Sequence, residues 1–458
     1  MSTKLSRELS ALITTGNPWR GMWRLSWPML AMMVLHFFVG FTDVYVAGLI
    51  GTDVQAAVGF ISQLFFLFII VANAISIGTV SMVSRAIGAG EPARAVWNAK
   101  QSLLFGALMS TVLSAIVFAF HREIVTLVGF PRDIQAIAAT FLKIFSLAII
   151  PNYLIIISNA IFRAGGDVMK PLVTMLVFAV VNIAGDFALV FGIGPFPEMG
   201  FMGIAVATTL ASMLGMCVNL FFFVRHQWKE FSATTWMISL PTVKNIIHVS
   251  WPAALLQIAW NAGSIVLYNI LGRLSTGSVT ALAALTNGLR IEAIIFLPPF
   301  ALNMAASVLV GQNLGAGKPD RAEKMGWTVA GVGVAFVTVM ALLIFIYARE
   351  FASLLTSDSA VLEETARYLR INMAAEPFLA LGMVLSGGLQ GAGDTRGTMW
   401  VIITAMWLIR LPLAYYFVIV AGLGATGAWI AMVSSMIVQG LVMARRFQGG
   451  YWKTVHVG

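Results

Sequence analysis

The chain has 458 residues, of which 59% are hydrophobic and only 10% are charged. Soluble domains carry about 25% charged residues, so this composition excludes an ordinary soluble protein and indicates one built for lipid. The net charge of +9 is explained by a membrane topology and an anionic inner leaflet, so we expect the lipid bilayer as a partner and no nucleic acid.

Long apolar runs recur along the chain, and each approaches the roughly 20 residues that a helix needs to cross the hydrocarbon. We predict twelve transmembrane spans, in chain order at 24–48, 55–83, 97–119, 134–161, 170–192, 200–224, 245–271, 278–310, 326–347, 362–389, 398–421 and 425–445. The runs are continuous rather than alternating, which favours helices because a helix satisfies its own backbone. The predicted fold class is an all-α polytopic membrane protein.

The cationic residues indicate how these spans are oriented. Of the 28 Lys and Arg residues, 19 fall at the termini or in connections that follow even-numbered spans, and 7 fall on the opposite side. The positive-inside rule then places both termini in the cytoplasm, in a multi-pass protein of the inner (cytoplasmic) cell membrane. The remaining two, Arg290 and Arg410, lie within predicted spans.

The sequence contains an internal repeat of about half its length. The stretch SRAIGAGEPARA at 84–95 returns as GQNLGAGKPDRA at 311–322, with six of twelve positions identical, and the triplet SWP at 26–28 returns at 250–252. Six spans separate the copies, so both halves have the same orientation and should be related by a pseudo-two-fold axis along the membrane normal. We predict two six-helix bundles: an N-lobe at 1–224, a cytoplasmic linker at 225–244 and a C-lobe at 245–458.

The repeated glycine-rich stretch is interpreted as a cytoplasmic turn. Its glycines permit a left-handed conformation, and Pro92 and Pro319 can begin the following helix. A phosphate-binding loop is the alternative, but Lys318 is followed by proline rather than serine or threonine, and a membrane helix precedes the motif. The turn interpretation is favoured.

Acidic residues inside spans are rare because each costs about 2.5–3.5 kcal/mol at the helix centre, and they mark cavities or partners. Asp43 lies in the first span, and Asp186 lies four residues after Asn182 in the fifth, on the same helical face. Thr208 in the sixth span reaches a similar depth. These four oxygen-bearing side chains are predicted to form a site for H⁺ or Na⁺, unless the two aspartates merely bond to neighbouring groups. No further cofactor and no metal site are expected.

The second half differs from the first at this site. The residue equivalent to Asp186, at the 224-residue offset of the SWP pair, is Arg410. Other polar residues within spans are candidates to line a substrate cavity, although polar side chains also join helices to one another. These are Asn159, Gln257, Asn261, Asn287, Arg290, Glu292 and Glu376.

At these residues the chain resembles the multidrug and toxic compound extrusion (MATE) family of efflux carriers. The resemblance runs through SWP, both glycine-rich turns, RAGGD and QGAGD after the fourth and tenth spans, NxxxD in the fifth and GIAVAT in the sixth. It implies cation-coupling roles for Asp43, Asn182, Asp186 and Thr208, and a bend of the first helix at Pro28. Members that couple ions through the C-lobe carry a glutamate in the seventh span, where this chain has Trp260.

The resemblance implies a function that is not enzymatic. It is antiport, in which cationic or amphipathic drugs leave the cell in exchange for H⁺ or Na⁺ by alternating access, and we expect a monomer. The alternative is a flippase for lipid-linked saccharides, which would need cationic residues in its cavity. A membrane-embedded enzyme is disfavoured because the spans contain no reactive cluster of His, Cys or paired acids near a headgroup.

Overall fold

The computed structural model describes residues 11–227 and 236–455, and these residues are almost entirely helical. The helices of the first half are α1 (Pro18–Ile50), α2 (Thr52–Gly88), α3 (Pro92–Ala119), α4 (His121–Val128), α5 (Arg132–Ala164), α6 (Met169–Phe191) and α7 (Phe201–Phe222), followed by a π-helical turn at Phe223–Gln227.

The second half follows the same order. Its helices are α8 (Leu240–Gly272), α9 (Ser278–Gly315), α10 (Pro319–Ile346), α11 (Ala348–Ser353), α12 (Ser359–Met373), α13 (Glu376–Gly391), α14 (Thr395–Ile403), α15 (Leu411–Tyr415) and α16 (Gly424–Gln448). Two π-helical stretches, Thr404–Arg410 and Tyr416–Val420, join α14 to α15 and extend α15, and a 3₁₀ turn spans Tyr451–Thr454.

The number of membrane crossings agrees with the sequence. Eleven helical segments of the described residues are long and apolar enough to cross a membrane, and α12 with α13 forms a twelfth that is bent by 55°. The sequence predicted one uninterrupted helix at 362–389. Pro377 stands in the first turn of α13, a position that favours proline because the N–H it lacks would have no partner within the helix there.

Two short helices were not predicted. The helices α4 and α11 follow the third span of each half, and their first residues, His121 and Ala348, stand at the 227-residue offset of the glycine-rich turns. The repeat therefore extends to details that hydropathy does not detect, since neither helix is long enough to cross a membrane.

The glycine-rich turns have the predicted conformation. Gly90 and Gly317 have φ angles of 74° and 68°, in the left-handed region that glycine adopts without strain. Pro92 and Pro319 then begin α3 and α10. The interpretation of these stretches as turns between helices is confirmed.

The described residues divide into two compact units. Unit 1 contains residues 27–250 together with the described residues before 13, and unit 2 contains residues 13–26 and those from 251 onward. A hydrophobic core in unit 1 is formed mainly by α2 and α5, whereas the core of unit 2 draws on α8, α9, α12 and α16. The lobe limits at 224 and 245 remain predictions, and residues 228–235 of the predicted linker lie outside the described residues.

Candidate functional site: a buried carboxylate pair in unit 1

Close packing of α6 against α7 positions one side of the candidate site. A Cβ atom added to Gly203 would lie 2.8 Å from the backbone nitrogen of Val190, and one added to Gly185 would lie 2.9 Å from the Cβ atom of Ala207. These distances are shorter than side chains tolerate, so glycine at both positions is what lets the two helices approach. Asn182 and Thr208 are thereby brought face to face.

The amide of Asn182 is fixed by this contact. Its Nδ2 donates a hydrogen bond to the Thr208 hydroxyl at 2.9 Å, and that hydroxyl donates in turn to the carbonyl of Ile204 at 3.0 Å. The Oδ1 atom of Asn182 is buried and has no hydrogen-bond partner among the described residues.

The two predicted aspartates meet beside this amide. The carboxyl group of Asp43, on α1, is close enough to interact with the carboxyl group of Asp186 and the amide of Asn182. Asn182 and Asp186 are fully buried, Thr208 is 7% exposed, and Asp43 is half-buried. The structure therefore brings together all four residues that the sequence singled out, within unit 1.

The site contains more acceptors than donors. Four of its buried oxygen atoms have no hydrogen-bond partner among the described residues: Asp43 Oδ1, Asn182 Oδ1 and both carboxylate oxygens of Asp186. Buried polar atoms are normally satisfied, and two adjacent carboxylates repel each other unless positive charge lies between them. Carboxylate and amide oxygens suit either a shared proton or a small hard cation such as Na⁺.

Further polar residues form hydrogen bonds next to the site, and two of them, Asn152 and Ser212, were not predicted from the sequence. Asn152 on α5 donates to the Ser212 hydroxyl at 2.8 Å, and Ser212 donates to the backbone carbonyl of Thr208 at 2.7 Å. Ser212 stands four residues after Thr208 on one helical face, which was a readable signal. Asn159, a predicted cavity residue, accepts a hydrogen bond from Asn219 at 2.9 Å.

Unit 2 holds a different buried cluster. Glu292 on α9, Tyr368 on α12 and Glu376 on α13 are at most 2% exposed, and Arg410 is 5% exposed. Arg410 donates to the Ser435 hydroxyl at 2.8 Å, and its guanidinium lies 5.1 Å from the centre of the Trp260 ring. Arg410 and both glutamates interact electrostatically. Arg410 thus stands at the position of the second repeat that is equivalent to Asp186 in the first, whereas Glu292 and Glu376 stand at positions that are not equivalent to either aspartate.

The polar face of α12 was also missed. Thr365, Tyr368 and Asn372 are fully buried, and each has a side-chain oxygen without a hydrogen-bond partner among the described residues. Their spacing of three and four residues puts them on one face of the helix, and this periodicity was visible in the sequence.

The remaining predicted cavity residues are dispersed. Arg290 is exposed, whereas Glu292, two residues later, is buried, and the cation that interacts with Glu376 is Arg410. Asn287 is buried, and Asn261 donates to the backbone carbonyl of Gln257 at 2.9 Å. Pro28 lies within the uninterrupted helix α1. The roles predicted for these residues remain predictions.

Known proteins that are similar to this chain over most of its length are transport proteins. A "Probable multidrug resistance protein NorM" of Thermotoga maritima is 27% identical over 438 residues, which cover 94% of this chain and 92% of the relative. An "FAD transporter" of Shewanella oneidensis is 24% identical over 396 residues, covering 86% of this chain and 87% of the relative. The solved structure of a MOP superfamily transporter from Pyrococcus furiosus has a TM-score of 0.87 at 20% identity, and the match covers 96% of this chain and 98% of that one.

The family model named MatE matches residues 28–188 and again residues 252–416. The two matches begin at the prolines of the two SWP triplets, so the model recognises each copy of the internal repeat separately. Together they cover well over half of the chain. The chain therefore belongs to the MatE (MATE) family, and it is a multi-pass membrane transporter of small molecules rather than an enzyme.

Proposed function

We propose that the protein is a secondary active antiporter that exports cationic or amphipathic compounds, drugs among them, in exchange for H⁺ or Na⁺. The observation that carries the proposal is the closeness of Asp43 to Asp186, since three of their four carboxylate oxygens are buried without a hydrogen-bond partner among the described residues. Such a pair is stable when positive charge is bound and strained when it is not, so its occupancy can bias a conformational equilibrium.

The proposed mechanism links the occupancy of the pair to the shape of α1. A proton or Na⁺ that enters from outside neutralises the Asp43–Asp186 pair, and α1 then bends at Pro28, which interrupts the hydrogen-bond ladder of the helix. Bending of α1 narrows the cavity and releases the cargo. The residues Asn159, Gln257, Asn261, Asn287, Arg290, Glu292 and Glu376 stay candidates for contact with the cargo.

The proposed membrane topology is based on the distribution of Lys and Arg along the chain. Both termini lie in the cytoplasm, the protein functions as a monomer in the inner membrane, and the coupling ion enters from the opposite side. The flippase alternative has less support because Arg410, one of its two candidate cavity cations, is buried against Ser435 and Trp260.

The decisive experiment uses purified protein in liposomes that contain a fluorescent cation, challenged separately with a proton gradient and a sodium gradient. The gradient that moves the dye identifies the coupling ion. Asp43→Asn and Asp186→Asn should each reduce gradient-driven dye movement by about 5- to 150-fold, the range that coupling free energies of about 1–3 kcal/mol produce.

The matched control is Asp53→Asn, since Asp53 is an exposed aspartate at the start of α2 in the same unit. This variant should transport as the unaltered chain does. Retention of gradient-driven transport by both site variants would refute the coupling role of the pair.

A further inference from the structure

The two SWP triplets stand at the borders of the compact units. Apart from the described residues before 13, unit 1 runs from Trp27 to Ser250, and unit 2 contains residues 13–26 and resumes at Trp251. Ser26 and Ser250 are equivalent residues of the repeat, at an offset of 224 residues. The helices α1 and α8 each cross such a border, so their first turns belong to one unit and the rest of each helix to the other.

The segment before the first triplet is held by residues of unit 2. Asn313 and Arg321 donate to the backbone carbonyl of Ile13 at 3.4 Å and 3.2 Å, Lys318 donates to that of Thr14 at 3.1 Å, and Arg321 also donates to that of Gly16. Lys318 and Arg321 belong to the second glycine-rich turn and the start of α10.

The segment before the second triplet is held by α3 of unit 1. Gln101 donates to the carbonyl of Met237 at 2.9 Å and accepts from the backbone N–H of Ser239 at 2.8 Å. Its side-chain amide therefore pairs with two backbone groups of this segment. Trp97 donates to the hydroxyl of Thr242 at 3.1 Å. Lys100 lies 4.2 Å from the centre of the Trp236 ring.

The helix that follows is seated against the same unit. A Cβ atom added to Gly78 of α2 would lie 3.2 Å from the backbone carbonyl oxygen of Ile246 and 3.6 Å from the Cβ atom of Ser250. The absence of a side chain at Gly78 therefore lets the start of α8 approach α2.

The two arrangements are counterparts. Ile13 and Met237 are equivalent at the 224-residue offset, and the backbone carbonyl of each accepts from a side-chain amide, Asn313 in one unit and Gln101 in the other. Asn313 lies near the end of α9 and Gln101 lies in α3, so they are not equivalent positions of the repeat. The two halves therefore share the anchoring of this segment but not the side chain that anchors it.

We propose that residues 13–26 and 237–250 move as parts of the units that hold them, and that the SWP triplets at 26–28 and 250–252 are the two hinges of the transport cycle. Pro28 and Pro252 lie inside α1 and α8, where proline removes a backbone hydrogen bond and lets a helix bend. Hinges are a few residues that absorb large changes in φ and ψ. The inference rests on the proposed alternating access and adds which residues turn together.

A disulfide tests which unit carries the start of α8. In a Cys217→Ala background, the pair Gly78→Cys and Ser250→Cys has a Cβ–Cβ distance of 3.6 Å, inside the range of about 3.5–4.5 Å for disulfides. We expect the bond to form with equal yield with and without cargo and ion gradient. Oxidised protein in liposomes should move the dye within about twofold of the reduced protein.

Either of two results would overturn the proposal. The first is that the double variant transports the dye when it is reduced but does not transport it when the disulfide is formed. Residues 78 and 250 would then have to separate during the transport cycle. The other is a bond yield that changes with cargo or gradient. If neither the reduced variant nor its cysteine-free parent transports under any gradient, the proposed antiport fails instead, and the next measurement still tests the anchoring.

The second measurement concerns residues 13–16 and does not depend on transport. Hydrogen exchange of the full chain in lipid nanodiscs is compared for Arg321→Ala and for Arg94→Ala, its counterpart in the first repeat, which pairs with Glu91. Arg321→Ala should speed exchange of the backbone amides at 13–17 by about fivefold or more, and Arg94→Ala should leave it unchanged. Equal exchange in both variants would overturn the assignment of this segment to unit 2.

Discussion

Thr208 and Thr209 are adjacent threonines with different surroundings. Both are mostly buried and both donate to a backbone carbonyl four residues earlier, but only Thr208 also accepts from Asn182. A typical intramolecular hydrogen bond contributes about 0.5–1.5 kcal/mol. Within the described residues, the orientation of the Asn182 amide therefore depends on its hydrogen bond to the Thr208 hydroxyl.

Thr208→Val should raise the ion concentration that gives half-maximal dye export by about 2- to 10-fold, because the Asn182 amide loses its fixed orientation. The measurement is a titration of the coupling ion in liposomes. Thr209→Val has the same shape change and should leave this concentration unaltered; equal effects of the two variants would show that Thr208 has no special role.

Arg410 is the cation of the buried cluster in unit 2. Its removal deprives Glu292 and Glu376 of their electrostatic interaction with a positive charge. Arg410→Met should destabilise the protein by about 2–3 kcal/mol, which is below the 3–5 kcal/mol of a direct buried ion pair, and should lower the Tm in detergent. Adding Glu376→Gln should restore part of the loss.

The control for this experiment is Arg290→Met, which removes an exposed arginine and should change the Tm little. An additive double variant, in which Glu376→Gln restores nothing, would show that the charges of this cluster are not coupled.

At the scale of elements, the contact between α6 and α7 depends on helical glycines. Gly203→Ala would place its Cβ 2.8 Å from the Val190 nitrogen, so α7 must move away from α6 and the Asn182–Thr208 hydrogen bond must lengthen. We expect a loss of about 1–3 kcal/mol of stability together with weaker ion binding, measured by thermal unfolding with and without the ion.

Gly59→Ala is the matched control, since Gly59 lies in α2 with nothing within 4 Å of an added Cβ atom. Alanine there should be neutral or stabilise the helix by about 0.5–1 kcal/mol. A neutral Gly203→Ala would mean that the two helices can separate without cost.

At the scale of the whole molecule, the topology follows from charge and can be checked by labelling. In a Cys217→Ala background, Leu127→Cys, at a side chain that is 88% exposed, should react with a membrane-impermeant maleimide in spheroplasts. Glu91→Cys, in the first glycine-rich turn, should react only after permeabilisation. The reverse pattern would place both termini outside the cell.

Hydropathy and the repeat predicted the fold because both are properties of the chain alone. An apolar run of about 20 residues satisfies its own backbone only as a helix, so its neighbours are not needed to recognise it. The break between α12 and α13 was missed, although Pro377 marks it, because mean hydropathy ignores the missing N–H of a proline.

The candidate site was predictable only in part. The cost of burying an aspartate pointed to Asp43 and Asp186 from sequence alone. That these two carboxyl groups lie close together, that Asn182 donates to Thr208, and that Arg410 interacts with Glu376 were decided by packing between helices distant in sequence. The segments that lead into α1 and α8 are likewise held by hydrogen bonds to residues remote in sequence.

The sequence by itself thus determined which segments lie in the membrane, which side is basic and that the chain is duplicated, since these follow from local composition and spacing. The tertiary structure decided which oxygens share one buried space and which unit holds each leading segment. The physical reason is that burial and close contact depend on neighbours brought together by folding, and no local pattern encodes the distance between two helices.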